Sequence, residues 1–325
     1  MSLEEFLEEW NNDSPYVEVK TSGSTGQPKP MLVEKRRMLA SARITCDFLG
    51  LKPGDTVLLC MSLDYIAGKM MVVRSLERGL RLITVPPSGH PLNNLQSSII
   101  NLQLDFAAMV PMQVYNSLQV PEERKRLRQI RHLLIGGGAI DEAMEAELKD
   151  FPHAVWSTYG MTETLSHIAL RRLNGPEASE WYTPFPSVKV SLNAENCLVI
   201  DAPEVCAGPL VTNDIAQLST SQFRILGRKD NVICSGGIKI QIEEVERRLK
   251  PFLCEPYLIS KRPDAKFGEV AVLLTEGPVD EARAICEAHL QKYHWPKAYI
   301  HVDAIPLTET GKIARKEAQK LVQTP

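Results

Sequence analysis

Three short segments combine residue types that suit a bound nucleotide. The first runs Thr21, Ser22, Gly23, Ser24, Thr25, Gly26, Gln27, Pro28 and Lys29. Glycines let a backbone approach a ligand closely, and hydroxyls with exposed N–H groups wrap phosphate oxygens. Lys29 adds a cation. No Gly-Lys-Ser/Thr follows four residues after a glycine, so this is not a Walker A loop; a flexible polar turn is the alternative. The second is Ile135-Gly136-Gly137-Gly138-Ala139. Glycines leaving a strand suit a flat ligand lying on the backbone at the carboxyl end of a parallel sheet, although a tight strand-to-helix turn explains them equally simply. The third is Ser157-Thr158-Tyr159-Gly160-Met161-Thr162-Glu163-Thr164. Here Tyr159 could stack on a base and Thr162 could bind phosphate. Glu163 could hold Mg²⁺, which takes one or two carboxylates plus phosphate oxygens. A buried tyrosine before a capped helix is the plain alternative.

Such segments need rigid elements to position them. Leu3, Phe6, Leu7 and Trp10 recur at helical spacing, which predicts an amphipathic opening helix. Short apolar runs at 56–62, 80–86, 106–111, 132–138 and 153–160 alternate with helical patterns near 34–49, 68–78, 121–130 and 141–150. That cadence indicates an α/β protein with a largely parallel sheet. After about residue 185, alternating strands joined by turn residues point to a small antiparallel sheet or barrel. Beyond Gly227-Arg228-Lys229-Asp230 the pattern becomes a compact α+β unit. We therefore expect one domain over 1–229 and a second over 230–325.

Composition narrows the classes. A chain of 325 residues suggests about two domains, and 44% hydrophobic with 24% charged residues is ample for a core. Against 37 Lys plus Arg stand 40 Asp plus Glu, a net charge of −3, which is not the balance of a nucleic-acid binder. No apolar run approaches the roughly 20 residues of a membrane span. The acidic amino terminus lacks the look of an export signal. Seven scattered cysteines without a Cys-x-x-Cys fit reduced thiols. The expectation is a cytoplasmic protein; the sequence leaves a homodimer open.

Asp214 in Val211-Thr212-Asn213-Asp214, the Gly227–Asp230 segment and Pro306-Leu307-Thr308-Glu309-Thr310-Gly311-Lys312-Ile313 follow the first three segments in order. Together they resemble the adenylate-forming superfamily of acyl- and aryl-CoA ligases, peptide-synthetase adenylation domains and luciferases, from about residue 19 to the end. The resemblance implies a large α/β domain with a small β subdomain, followed by a small mobile α+β domain. It also implies ATP, Mg²⁺ and coenzyme A acting on a small-molecule carboxylic acid, with an acyl-adenylate formed first and a thioester second. Residue by residue, it implies that Thr21–Gly26 and Lys29 hold the β- and γ-phosphates, and that Thr162 and Glu163 serve the α-phosphate and Mg²⁺. Gly137, Gly138, Ala139, Tyr159 and Gly160 would flank adenine, and Asp214 with Arg228 would hold the ribose hydroxyls. Lys312 matches the catalytic lysine and Asp230 the hinge. Gly236 and Gly237 would line the pantetheine channel.

The chain departs from the family in three places. Asn213 stands where a Gly is usual, and Asn tolerates positive φ next best. Leu307 replaces a commonly basic residue. The 21–29 loop lies near the amino terminus, whereas relatives carry a long segment before it, so most of one subdomain is missing; the opening Met and helix favour a naturally short member.

Residues 61–76 look like the acid-pocket segment of the o-succinylbenzoate–CoA ligases of menaquinone synthesis, with Tyr65 at the usual His position and Arg74 retained. That substrate is aromatic with a second carboxylate, so an aromatic wall and a cation fit it. Alternatively, Arg74 is a surface residue of an amphipathic helix. A ligase for another aryl or short acyl acid, or a degenerate ATP- or AMP-binding protein, are the competing functions.

Overall fold

A computed structural model describes residues 1–20, 30–93, 95, 103–138, 140, 142–308 and 313–323. The chain divides into two compact units. The larger opens with helix α1 (Leu3–Asn11), started by a capping box in which the Ser2 hydroxyl accepts from the Glu5 N–H and the Glu5 carboxylate accepts from the Ser2 N–H. Strands β1 (Tyr16–Lys20) and β2 (Pro30–Glu34) pair antiparallel. The segment joining them, Thr21–Lys29, lies outside the described residues, so the predicted phosphate loop is not located.

Then follow α2 (Lys35–Leu49), β3 (Thr56–Leu59), α3 (Ile66–Arg78), β4 (Arg81–Thr84), β5 (Phe106–Met109), α4 (Pro111–Gln119), α5 (Pro121–Gln129), β6 (His132–Ile135), α6 (Glu142–Leu148), β7 (Ala154–Gly160), β8 (His167–Arg172) and β9 (Thr183–Pro184). They build a seven-stranded sheet in the order β4-β3-β5-β6-β7-β8-β9. β4 to β7 run parallel, and β8 and β9 are added antiparallel. All four residues of β3 are buried, as expected for a strand covered on both faces. Glycines in the left-handed region, Gly50 and Gly79, end α2 and α3. The core joins Leu58, Met109, Leu133 and Val155 of the sheet to Leu118, Leu127 and Leu148 of the helices. β4 and β5 lie on either side of β3, so the chain reverses its winding there, and ligands of such sheets bind beyond the carboxyl ends of the strands. The ammonium of Lys69, buried on α3, reaches Glu9 Oε2 at 3.1 Å and the Glu18 carbonyl at 2.6 Å, which ties α1 and β1 to the sheet's helices.

Strands β10 (Lys189–Leu192), β11 (Cys197–Asp201), β12 (Leu210–Leu218) and β13 (Phe223–Arg228) form a four-stranded sheet in that order. The second unit takes residues 192–198 and 211–217 and the continuous stretch from Ile225. Asn213 sits within β12 without a positive φ; among the described residues only Leu165 and Asn196 adopt one without being glycine. Asparagine there strains nothing.

The second unit continues with β14 (Val232–Ser235), β15 (Ile238–Gln241), α7 (Ile242–Leu249), β16 (Tyr257–Asp264), β17 (Gly268–Thr275), α8 (Val279–His289), β18 (Ala298–His301) and α9 (Arg315–Val322). The sheet order is β15-β14-β17-β16, with β18 parallel to β17. Alternate residues of β16 and β17 feed two apolar clusters, one with α7 and α8 and the other with α9. Arg315 anchors α9 by gripping both oxygens of half-buried Glu246, at 3.1 and 2.6 Å. Among the described residues no helix is long and apolar enough to cross a membrane, and all seven cysteines are free.

Candidate active site

The carboxyl edge of the large sheet gathers several of the residues singled out above. Gly136, Gly137 and Gly138 leave β6, while Tyr159 and Gly160 end β7 ahead of Thr162 and Glu163. Gly137 has φ +82°, so the turn itself demands glycine. A side chain at Gly136 would place its Cβ 2.2 Å from Thr158 Oγ1, whereas at Gly138 it would stay 3.5 Å from Pro111. Gly160 is required by packing, since a Cβ there would lie 2.3 Å from the Ser166 carbonyl oxygen, and the β7–β8 register shifts between Tyr159 and Gly160. Ala139 lies outside the described residues. The Tyr159 ring meets Phe223 edge-on at 5.1 Å and Tyr182 at 5.8 Å, a half-buried aromatic corner.

Thr162–Thr164 is a single turn of 3₁₀ helix, in place of the helix start offered as the plain reading. Thr164 Oγ1 accepts from the Met161 N–H at 2.9 Å and lies 2.7 Å from the Ser166 carbonyl, so one hydroxyl locks both ends of the reversal into β8. Thr162 is buried; Glu163 is exposed, and its carboxylate makes no hydrogen bond or ion pair among the described residues. A free carboxylate at this edge fits a Mg²⁺ ion shared with phosphate oxygens. No cluster of three metal-binding side chains occurs among the described residues.

Tyr65 caps the start of α3, half-buried at the same edge. Arg74 is not a surface residue: only 2% of it is exposed. Its Nη2 donates to Ser166 Oγ at 2.5 Å, its Nη1 has only Met71 Sδ at 3.7 Å among the described residues, and the guanidinium stands 5.9 Å from the Phe106 ring centre. Its Nε is buried without a partner, and no carboxylate pairs with it among the described residues. Burial draws its pKa from 12.5 to about 10, leaving it charged at neutral pH. Ser166 and His167 escaped the sequence reading. They follow the recognised motif but carry no spacing signal, and Ser166 meets Arg74 across 92 residues.

In the second unit Arg228 bridges two carboxylates, with Nη1 3.1 Å from Asp214 Oδ1 and Nη2 3.1 Å from Asp230 Oδ2. Asn213 also donates to Asp230, at 3.2 Å. Asp214 is nearly buried and half-exposed Arg228 covers it, so ribose hydroxyls and this guanidinium would compete for one carboxylate. Gly236 and Gly237, with φ of +57° and +84°, make the two-residue turn between β14 and β15 that only such residues adopt easily. Leu307 pairs with Ile313, and the Ala314 N–H donates to the Pro306 carbonyl at 2.8 Å. Lys312 lies outside the described residues.

A family model for AMP-binding enzymes matches residues 4–208. The 2-succinylbenzoate–CoA ligase of Bacillus mycoides (strain KBAB4) is 26% identical over 349 positions, covering 97% of this chain and 72% of that protein. A crystal structure of an acyl-CoA synthetase (AMP-forming)/AMP-acid ligase II-like protein from Dyadobacter fermentans DSM 18053 is 34% identical with a TM-score of 0.66, covering 98% of this chain and 93% of that one. The O-succinylbenzoate coenzyme A synthetase of Bacillus subtilis, solved with ATP and magnesium ion, is 23% identical with a TM-score of 0.75, covering 92% and 69%; at that identity the likeness concerns the fold.

Proposed function

The chain belongs to the AMP-binding enzyme family, and from that premise we propose that it is an ATP-dependent, AMP-forming acid–CoA ligase whose acid is 2-succinylbenzoate. A carboxylate oxygen of the acid attacks the α-phosphorus of ATP, and the bond to the bridging oxygen breaks to release pyrophosphate. The coenzyme A thiol then loses its proton and attacks the acyl carbonyl, forming the thioester as AMP leaves. Both steps depend on positioning and charge neutralisation more than on covalent help from the protein.

In this reading Thr162 donates to the α-phosphate, and the free Glu163 carboxylate holds Mg²⁺, which neutralises phosphate charge when bound. Thr21–Gly26 and Lys29 take the β- and γ-phosphates. Gly137, Gly138, Ala139, Tyr159 and Gly160 border the adenine. Asp214 accepts from the ribose hydroxyls while Arg228 donates to them. Lys312, a long ammonium arm, bridges the acyl carboxylate and the α-phosphate. Asp230 turns the carboxyl-terminal domain between steps, and Gly236 and Gly237 leave room for pantetheine.

The observation that carries the substrate is Arg74. A buried cation with no carboxylate partner among the described residues is costly, and a ligand's second carboxylate relieves that cost. The guanidinium is tied to Ser166, just past the Thr162 turn, so a diacid bound by Arg74 at one end presents its other carboxylate near that turn. Pyrophosphate exchange and thioester formation across 2-succinylbenzoate, benzoate and short acyl acids test the proposal. Turnover should be highest with 2-succinylbenzoate. A preference of about tenfold or more for a plain benzoic or fatty acid refutes the substrate, and no exchange with any acid points to an ATP- or AMP-binding protein instead.

A further inference from the structure

His167 is a half-buried histidine outside the roles assigned so far, and the hydrogen bonds around it leave little freedom. Arg74 can only donate, so Ser166 Oγ accepts from it at 2.5 Å. The Ser166 hydroxyl hydrogen then has His167 Nδ1 as its acceptor, at 3.2 Å. On the other side of the ring, Thr45 Oγ1 lies 3.1 Å from His167 Nε2, and the Thr45 hydroxyl donates to the Ser41 carbonyl at 3.1 Å. Thr45 must therefore accept from the imidazole. Each proton has one place: the hydrogen sits on Nε2 and the lone pair on Nδ1. A second ring hydrogen, on Nδ1, would leave Ser166 with two donors and its own hydrogen without an acceptor. The ring also packs 5.6 Å from Phe185, and Arg74 is the charged group that faces it.

We propose that His167 is a positioning residue for acid recognition, which fixes the Ser166 hydroxyl as an acceptor and so holds the Arg74 guanidinium with its remaining N–H groups free for the acid's second carboxylate. The inference rests on the diacid reading of Arg74. It explains how a guanidinium without an ion-pair partner among the described residues keeps one orientation inside the fold. The Ser166–His167–Thr45 chain supplies a neutral, directional brace from β8 and α2, which leaves the positive charge itself available.

Nitrogen NMR of the ¹⁵N-histidine-labelled protein reads the brace directly. His167 should be the neutral Nε2–H tautomer at neutral pH; an Nδ1–H tautomer or a cationic ring overturns the proposal. Kinetics with 2-succinylbenzoate and benzoate read its consequence. His167→Leu should raise KM for the diacid about tenfold more than KM for benzoate, the value of one properly placed hydrogen bond. His167→Gln should recover most of that loss, because its carboxamide oxygen accepts from Ser166 while its amide donates to Thr45. Ser166→Ala, a small change that the fold should tolerate, must show the same diacid-selective rise even if His167→Leu does not fold. Equal changes for both acids, or no rescue by glutamine, sink the inference. If the wild-type enzyme prefers benzoate, the substrate reading fails instead, while the tautomer still tests the brace.

Discussion

Arg74→Met should make the protein more stable and worse at using its acid. Burial lowers the guanidinium from 12.5 to about 10; at about 1.4 kcal/mol per tenfold, the charged form costs the fold about 3 kcal/mol. The sign follows from the protons. Below pH 10 the arginine is charged in both folded and unfolded chains, so the whole cost is present at neutral pH. It fades only as pH rises from 10 towards 12.5, where the unfolded chain binds more protons. Against it stand one hydrogen bond from the charged guanidinium to Ser166, about 1.5 kcal/mol, and a distant contact with the Phe106 face, about 0.5 kcal/mol. Methionine fills similar space without charge, so the net gain is about 1 kcal/mol, a rise of a few degrees in melting temperature. The acid experiences the opposite change. Its second carboxylate, buried without a counter-charge, loses about 3–5 kcal/mol, or at least a hundredfold in kcat/KM. Thermal melting together with kcat/KM for 2-succinylbenzoate and benzoate measures both sides. A variant that melts lower than wild type and loses both acids equally would show that Arg74 is structural.

Lys312→Ala should abolish adenylation, by about a hundredfold or more for one preorganised cation, and largely spare thioester formation from preformed acyl-adenylate; equal loss in both steps removes its assignment. Gly160→Ala should destabilise the large unit by about 3 kcal/mol, because its Cβ would meet the Ser166 carbonyl oxygen at 2.3 Å and the His167 Cα at 2.5 Å; an unchanged melting temperature contradicts that packing. Burial and then the charge of Arg131 hold His132 down at about 4 from 6.5, with its Nδ1 lacking a partner among the described residues. The unfolded chain therefore takes up the proton first, so stability is full above pH 6.5 and falls between pH 6.5 and 4. His132→Phe should flatten that fall in denaturant titrations at pH 7 and 5, and an unaltered pH dependence excludes the histidine as its cause.

The chemistry-bearing motifs were legible because they are local. Gly137, Gly160, Gly236 and Gly237 stand where a turn or a close crossing admits little else, and such constraints are written directly in residue type. The strand–helix cadence was equally plain, since buried parallel strands read as short apolar runs. Strand β8 and helix α4 escaped notice. His167–Arg172 ends in two arginines that mask its alternation, and Pro111–Gln119 follows a strand directly with only proline to announce it. The change of texture after residue 185 was visible, but the compact second unit draws in 192–198 and 211–217, because packing rather than chain order groups residues.

What the sequence determined by itself is the family and the sheet that aligns Gly136–Gly138 with Tyr159–Glu163, since both follow from local pattern. Whether Arg74 faces water or the interior was decided only in three dimensions. A helix shows its neighbours at three and four residues, but not what covers its other face. That cover is Phe106 of β5 and Ser166 of the turn before β8, and their arrival turns an ordinary surface-type residue into a buried charge.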